Sequence, residues 1–289
     1  MITFANAKIN LGLNIVSKRP DGYHDLETVF YPAGKGCGRP DHPGTLNDVL
    51  ELIPSEYDSL TQLGLKADCP AESNLVMKAL RLFREEAAKK GAEVSAMQVI
   101  LEKHIPFGAG IGGGSADATF MLLALNGIYR DLFNKEELRL MANKLGADCP
   151  FFVENRPMFA QGTGEKLTPV GLDLSDYWLG LVKPDVSIST REAFSCVTPQ
   201  TPEISAKEIV QRPIGEWRDL LTNDFEVSAF NRFPELRSLK DTLYSNGALY
   251  ASMSGSGSSF FGIFPDQESA LLAVKATLYP YQSVTKLLP

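Results

Sequence analysis

Apolar and polar positions alternate over residues 4–16, where Ile9, Leu11, Leu13 and Ile15 are interleaved with Lys8, Asn10, Gly12 and Asn14. That two-residue period predicts a strand with Lys8 and Asn10 sharing the polar face. Pattern alone reads Lys8 equally well as a solvated strand-edge lysine or as a functional cation. Asp48–Ile53, Met97–Leu101 and Trp178–Pro184 read as further strands. Over Ser73–Lys90 the period changes to a helical one through Leu75, Val76, Ala79, Leu82, Phe83 and Ala87, with Gly91 as the stop. Ser115–Leu125 repeats that period through Ala118, Met121, Leu122 and Leu125, and Asn126-Gly127 supplies its stop. Asn134 and Glu137 have the spacing of a capping box for a helix running to Leu145, ended by Gly146. Gln161–Glu165 reads as a turn and the Pro/Thr-rich run 198–206 as a loop. Gly215–Leu221, Phe225–Phe230 and Pro234–Tyr244 read as short helices, and Ala248–Phe264 as a hairpin-like unit interrupted by Ser254-Gly255-Ser256-Gly257-Ser258.

Between the Met97–Leu101 strand and the Ser115–Leu125 helix lies a run with five glycines in seven positions, Gly108, Gly110, Gly112, Gly113 and Gly114. Glycine adopts positive φ without steric cost, so such a loop can turn several N–H groups one way. The helix that follows opens with unpaired N–H groups and a partial positive charge, which suits an anion, most simply a phosphate. A tight turn without a ligand is the plain alternative. Gly108, Gly110 and Gly113 also spell GxGxxG, with Asp131 beyond, but Lys103-His104-Ile105-Pro106 separates them from the strand that a dinucleotide loop should follow directly. No GxxxxGK[ST] is present, which excludes the standard P-loop.

Composition narrows the partners. At 289 residues the chain is long enough for one large or two medium domains with real cores, and its 44% apolar and 22% charged residues are those of an ordinary soluble protein. The net charge of −7 with no Lys/Arg block argues against nucleic acid, so an anionic substrate must be held by local cations and amides. Cys37, Cys69, Cys149 and Cys196 show no CxxC spacing, and His24, His42 and His104 form no metal pattern; free thiols in a reducing cytoplasm are expected. No apolar run is long enough to span a membrane, and no signal-peptide core follows Met1.

AKINLGLNI, then KRPDGYHDLETVFYP, PFGAGIGGGSADA, GADCPFF and finally SMSGSGSSFFGIF resemble, in order and spacing, the segments of the GHMP kinases (galactokinase, homoserine kinase, mevalonate kinase, phosphomevalonate kinase) over nearly the whole chain. The glycine run alone indicates that superfamily; RPDGYH points to its cytidyl-substrate member. The resemblance implies an α+β fold with a ribosomal-S5-like N-terminal domain, residues 1–168, and a ferredoxin-like C-terminal domain, residues 169–289. It implies transfer of the ATP γ-phosphate to the 2-hydroxyl of 4-diphosphocytidyl-2-C-methyl-D-erythritol, a step of non-mevalonate isoprenoid precursor synthesis. Asp148 is then the carboxylate that accepts the hydroxyl proton, with Lys8 the cation beside it. Without the resemblance, Asp148 is a local backbone acceptor in an apolar-flanked turn.

For ATP the resemblance implies Asn74, Lys103, Pro106, Gly108, Gly110, Gly112, Gly113, Gly114 and Ser115, with Asn74 near the adenine and also readable as a helix cap. A Mg²⁺ ion accompanies the triphosphate, and Ser115 is open to either the metal or a phosphate. For the cytidyl substrate it implies Asn10, Tyr23, His24, Phe30, Thr190 and Phe194, with Tyr23 and Phe30 around the cytosine ring and His24 on its edge. Phe194 reads equally as core. Residues 33–47 depart from the family, which joins these elements with few residues; four Gly and two Pro make an extended surface loop. Three rivals remain at this stage: a GHMP kinase for another small molecule, a dinucleotide oxidoreductase resting on GxGxxG, and a non-catalytic nucleotide-binding relative.

Overall fold

A computed structural model describes residues 1–34, 46–65 and 70–288. Along the chain run strands β1 (Ile2–Lys18), β2 (His24–Ala33), β3 (Asn47–Pro54) and β4 (Ser59–Gly64), then helix α1 (Leu75–Lys89) and strand β5 (Met97–Lys103). Helices α2 (Gly113–Ile128), α3 (Lys135–Leu145) and α4 (Cys149–Glu154) follow. Strands β6 (Met158–Gly162), β7 (Lys166–Pro169) and β8 (Trp178–Lys183) lead to helices α5 (Thr190–Ser195), α6 (Ala206–Ile209), α7 (Phe225–Arg232) and α8 (Glu235–Ser245). Then come β9 (Tyr250–Met253), β10 (Phe260–Phe264), α9 (Gln267–Ala276) and β11 (Tyr281–Lys286).

The chain forms two compact units. The first comprises Met1–Ala7, Asn47–Phe107 and Gly112–Asn155. In it β5 lies between β4, parallel, and β3, antiparallel, and β3 pairs in turn with the start of β1 (Ala5 opposite Asp48). Along β5 every second residue is buried: Met97, Val99, Leu101 and, at the end of the row, Lys103. The apolar members join a core with Val76, Leu80 and Phe83 of α1 and Met121, Leu122 and Leu125 of α2. Phe83 meets Phe133 edge-on at 5.1 Å, a geometry aromatic quadrupoles favour.

The second unit comprises Lys8–Leu46, Gly108–Ile111 and Arg156–Pro289. One sheet there runs from the later part of β1 through β2 and β6 to β7. The other, in the order β11-β8-β10-β9, is antiparallel throughout, and its residues Val182, Met253, Phe260 and Phe264 share a core with Phe225, Leu236, Leu243 and Val274 of the helices.

Several expectations need correction. In β1, residues 5–13 are buried without interruption, so the polar face of Lys8 and Asn10 is enclosed like the apolar one. In the strand order β1 lies between β3, which pairs with its start at Ile2–Asn6, and β2. Helix α2 begins inside the glycine run and continues past Asn126-Gly127 to Ile128. Asn126 does not stop it: its side chain is spent on Phe133, accepting from the backbone N at 2.9 Å and donating to the O at 3.0 Å. The helix expected over 215–221 is a single 3-10 turn at Ile214–Glu216, where the buried Trp217 indole N–H donates back to Arg212 O at 3.0 Å. Of the loop expected at 33–47, Ala33 belongs to β2 and Asn47 to β3, while residues 35–45 lie outside the described residues, as do Cys37, His42 and Cys69. Among the described residues no helix is long and apolar enough to cross a membrane.

Candidate active site

The glycine run turns through left-handed backbone at Gly108, Gly110 and Gly112, with φ of +59°, +74° and +73°. Gly112 leads into α2 with no side-chain cap, and the first turn carries no acidic residue. The first intrahelical bond is Ala116 N to Gly112 O at 2.8 Å, so the amides of Gly113, Gly114 and Ser115 open the helix ahead of it. Such a helix start suits an anion, and no side chain caps it. Two of the glycines are demanded by space. A Cβ on Gly113 would sit 2.6 Å from Ile105 Cγ2, and one on Gly110 would sit 2.0 Å from the Ser254 carbonyl oxygen.

In the second unit, Gly110 is held by a buried polar cluster. Lys8 Nζ donates to Asn10 Oδ1 at 2.6 Å and to Gly110 O at 3.1 Å, and lies 5.0 Å from the centre of the Phe30 ring. Ser254 Oγ donates to the same Gly110 oxygen at 2.9 Å and accepts from Asn10 N at 3.3 Å. Asn10 Nδ2 donates to Thr28 Oγ1 at 3.1 Å, and Thr28 donates to Gly12 O. Lys8 is only 3% exposed, so an ammonium is kept inside by oxygen acceptors and an aromatic face. A charge so placed would be strongly felt by any anion that reached it.

The segment expected to meet a cytidyl group is pinned at its base. Arg19 makes two hydrogen bonds to Asp25 Oδ1, at 2.6 and 2.9 Å, and Ser17 donates to Asp25 Oδ2 at 2.7 Å. The arginine holds the Asp25 carboxyl below its usual range. His24 stacks on Phe194 at 5.0 Å and 25°, and Phe194 meets Phe225 edge-on at 4.9 Å. The sequence reading thus missed Phe225 as the support behind that pair. Tyr23, by contrast, is 66% exposed, while Phe30 is 3% exposed and its ring faces Lys8. Thr190 opens α5, its hydroxyl 3.3 Å from that of Ser256.

In the first unit, Asp148 stands just before α4 and is half-buried, but its side chain does not cap that helix. The backbone there is fastened to α2 by Thr119, whose hydroxyl lies 2.9 Å from both Ser115 O and Cys149 O. Burial pushes the Cys149 thiol up to about 11, against the pull of the Ser115 and Thr119 hydroxyls. Such a thiol is inert at neutral pH. Asn74 caps α1, its Oδ1 accepting from Val76 N at 3.0 Å.

Lys103 is not a solvent-facing cation. It is 1% exposed, and its ammonium donates to Asp48 Oδ2 and, at 2.7 Å, to Asp117 Oδ2. Burial pushes its proton affinity down, but the two carboxylates outweigh that and the net shift is upward. Burial, then the neighbouring Asp48, push Asp117 well above the usual carboxylate range despite the lysine. Asp48 and Asp117 were not among the residues the sequence singled out. A signal was present: Lys103 continues the inward row of β5, and Asp117 lies four positions before Met121 on the apolar face of α2. An inward lysine and an inward aspartate must pair. Among the described residues no group of three or more His, Cys, Asp or Glu side chains is placed to hold a metal.

The family model for the GHMP kinases N terminal domain matches residues 74–156, which contain the glycine run and Asp148. The model for the GHMP kinases C terminal domain matches residues 205–279, which contain Ser254. A protein of Parabacteroides distasonis named 4-diphosphocytidyl-2-C-methyl-D-erythritol kinase is 53% identical over 264 residues, 91% of this chain and 92% of that one. A protein of the same name from Bacteroides fragilis is 49% identical over 272 residues, 93% of each chain. Among solved structures, one of 4-(cytidine 5'-diphospho)-2C-methyl-D-erythritol kinase superposes with a TM-score of 0.82 at 32% identity, over all of both chains. Homoserine kinase from Cytophaga hutchinsonii shares the fold, with a TM-score of 0.62 at 16% identity over 98% of this chain and 95% of that one. The chain belongs to the GHMP kinase family, in the branch whose members are named 4-diphosphocytidyl-2-C-methyl-D-erythritol kinase.

Proposed function

We propose that this chain transfers the γ-phosphoryl group of ATP to the 2-hydroxyl of 4-diphosphocytidyl-2-C-methyl-D-erythritol, releasing ADP, in the cytoplasm. The observation that carries the reading is the 53% identity, over nine-tenths of both chains, to a relative named for that reaction. The RPDGYH segment, residues 19–24, agrees with it. It disfavours homoserine, mevalonate or a sugar as the acceptor.

Phosphoryl transfer asks a protein mainly for positioning and for stabilisation of charge on the transferring oxygens. The amides of Gly113, Gly114 and Ser115 supply donors to the triphosphate, with Pro106 and Gly108 to Gly112 shaping the approach and Asn74 on the adenine side. Lys8 places a buried positive charge for the transferred group. Asp148 accepts the proton of the 2-hydroxyl as its oxygen bonds to phosphorus, while the bond from phosphorus to the ADP oxygen breaks. Asn10, Tyr23, His24, Phe30, Thr190 and Phe194 serve the cytidyl substrate, and Phe30 also faces Lys8. A Mg²⁺ ion arriving with ATP would neutralise part of the triphosphate charge. Ser115 at the opening of α2 would be the side chain available to that ion or to a phosphate, since the nearby carboxylates of Asp48 and Asp117 are both engaged by Lys103. The division into residues 1–168 and 169–289 is part of this proposal. ADP release measured against a panel of the cytidyl substrate, homoserine, mevalonate and galactose tests it. Turnover confined to the cytidyl substrate is expected, and preference for any other acceptor would overturn the assignment.

A further inference from the structure

We propose that Asp48, Lys103 and Asp117 act together as a brace that sets the geometry of the glycine-rich loop, so that they position ATP without touching it. The inference rests on the kinase reading above. Lys103 ends β5 where the loop begins, and its ammonium is shared between Asp48 at the start of β3 and Asp117 in α2, where the loop ends. Asp48 Oδ1 accepts from the amides of the first two loop residues, His104 at 2.6 Å and Ile105 at 2.9 Å. Ile105 fills the space over Gly113. The Phe107 ring lies over the lysine, its centre 5.3 Å from Nζ. Every one of these contacts fastens either the entry or the exit of the loop.

A role in stability alone explains the cluster poorly. A buried ion network is often no better for stability than apolar residues of the same volume. Here Asp117 Oδ1 is buried without a hydrogen-bond partner among the described residues, a further cost. Asp48 alone matches the charge of the ammonium, and Asp117 occupies it as well, so Lys103 has no positive charge over for a triphosphate. The phosphates then depend on amide direction, which the brace controls, and small misplacements of such donors are costly.

Asp117→Asn separates the alternatives, because it keeps the shape and releases the lysine from one carboxylate. If Lys103 touched the nucleotide directly, the variant would bind ATP equally well or better. The brace predicts about a tenfold or greater rise in KM for ATP. It also predicts kcat and KM for the cytidyl substrate within about twofold of the parent, and the same rank order for ATP binding by calorimetry without acceptor. Asp48→Asn, which can still accept from the two amides, should show the same split and serves if Asp117→Asn does not fold. An unchanged ATP affinity with only a lower melting temperature, or equal losses for both substrates, would overturn the proposal. A parent protein that binds no ATP would instead overturn the kinase reading, and the brace with it.

Discussion

Gly110→Ala offers a test whose size follows from the coordinates. Gly110 has φ +74°, a conformation that costs an L-residue about 1–2 kcal/mol. The added methyl would lie 2.0 Å from Ser254 O, with Gly257 O at 3.1 Å. Ser254 cannot move freely: its N donates to Ser259 O at 2.9 Å, and its O accepts from Gly257 N at 3.0 Å. Overpacking of this kind adds about 1–3 kcal/mol, so the expected loss is about 2–5 kcal/mol in all. Gly108→Ala is the control, since Gly108 also has positive φ but open space around its Cβ position. It should lose only the backbone part, about 1–2 kcal/mol. Displacing Gly110 also disturbs the carbonyl that accepts from Lys8 and Ser254, so kcat should fall at least tenfold in Gly110→Ala. Urea denaturation with steady-state kinetics on both variants measures this. Equal stability and equal kcat for the pair would refute the claim that the Ser254 contact fixes the loop.

Asp148→Asn should retain ATP binding while kcat drops about 10²-fold or more, as loss of a proton acceptor requires; near-normal turnover removes Asp148 from the chemistry. Tyr23→Ala should raise KM for the cytidyl substrate and leave KM for ATP alone, and a defect confined to ATP would reverse that assignment. Asp58 accepts two hydrogen bonds from Arg84, at 2.7 and 3.0 Å, which hold its carboxyl below the usual range. A depressed acid stabilises the fold above its unfolded pKa of about 3.9 and ceases to as pH falls through the folded value. Asp58→Asn should therefore be less stable than the parent at neutral pH, and the gap in denaturation midpoint should close in acid. A gap constant with pH would exclude the ion pair as its cause.

Local rules carried far in this chain where one face of an element is solvated. The capping box of Asn134 and Glu137 and the inward row of β5 are formed as their spacing indicates. The hairpin-like reading of residues 248–264 became β9 and β10, antiparallel across the Ser254–Ser259 connection. Strand β2 was not legible as a strand because Glu27 to Ala33 are buried on both faces, which erases alternation. β4 failed for the opposite reason, as an edge strand with no buried position. Among the candidate site residues, the glycine run carried its own signature in composition. Lys8 did not, since a lysine in a strand looks the same whether it points to water or to Asn10 and Gly110. The pairing of Lys103 with Asp48 was not legible, because the two lie 55 positions apart and no local pattern connects them.

The central claim is that this chain phosphorylates the 2-hydroxyl of a cytidyl diphosphate methylerythritol. Incubation of the purified protein with ATP, Mg²⁺ and 4-diphosphocytidyl-2-C-methyl-D-erythritol, followed by mass spectrometry and phosphorus NMR of the product, tests it most directly. A product heavier by one phosphoryl group, with the new phosphate on the 2-oxygen and ADP formed in equal amount, is the predicted result. Unchanged substrate under conditions where another acceptor is phosphorylated, or a phosphate on a different oxygen, would contradict it.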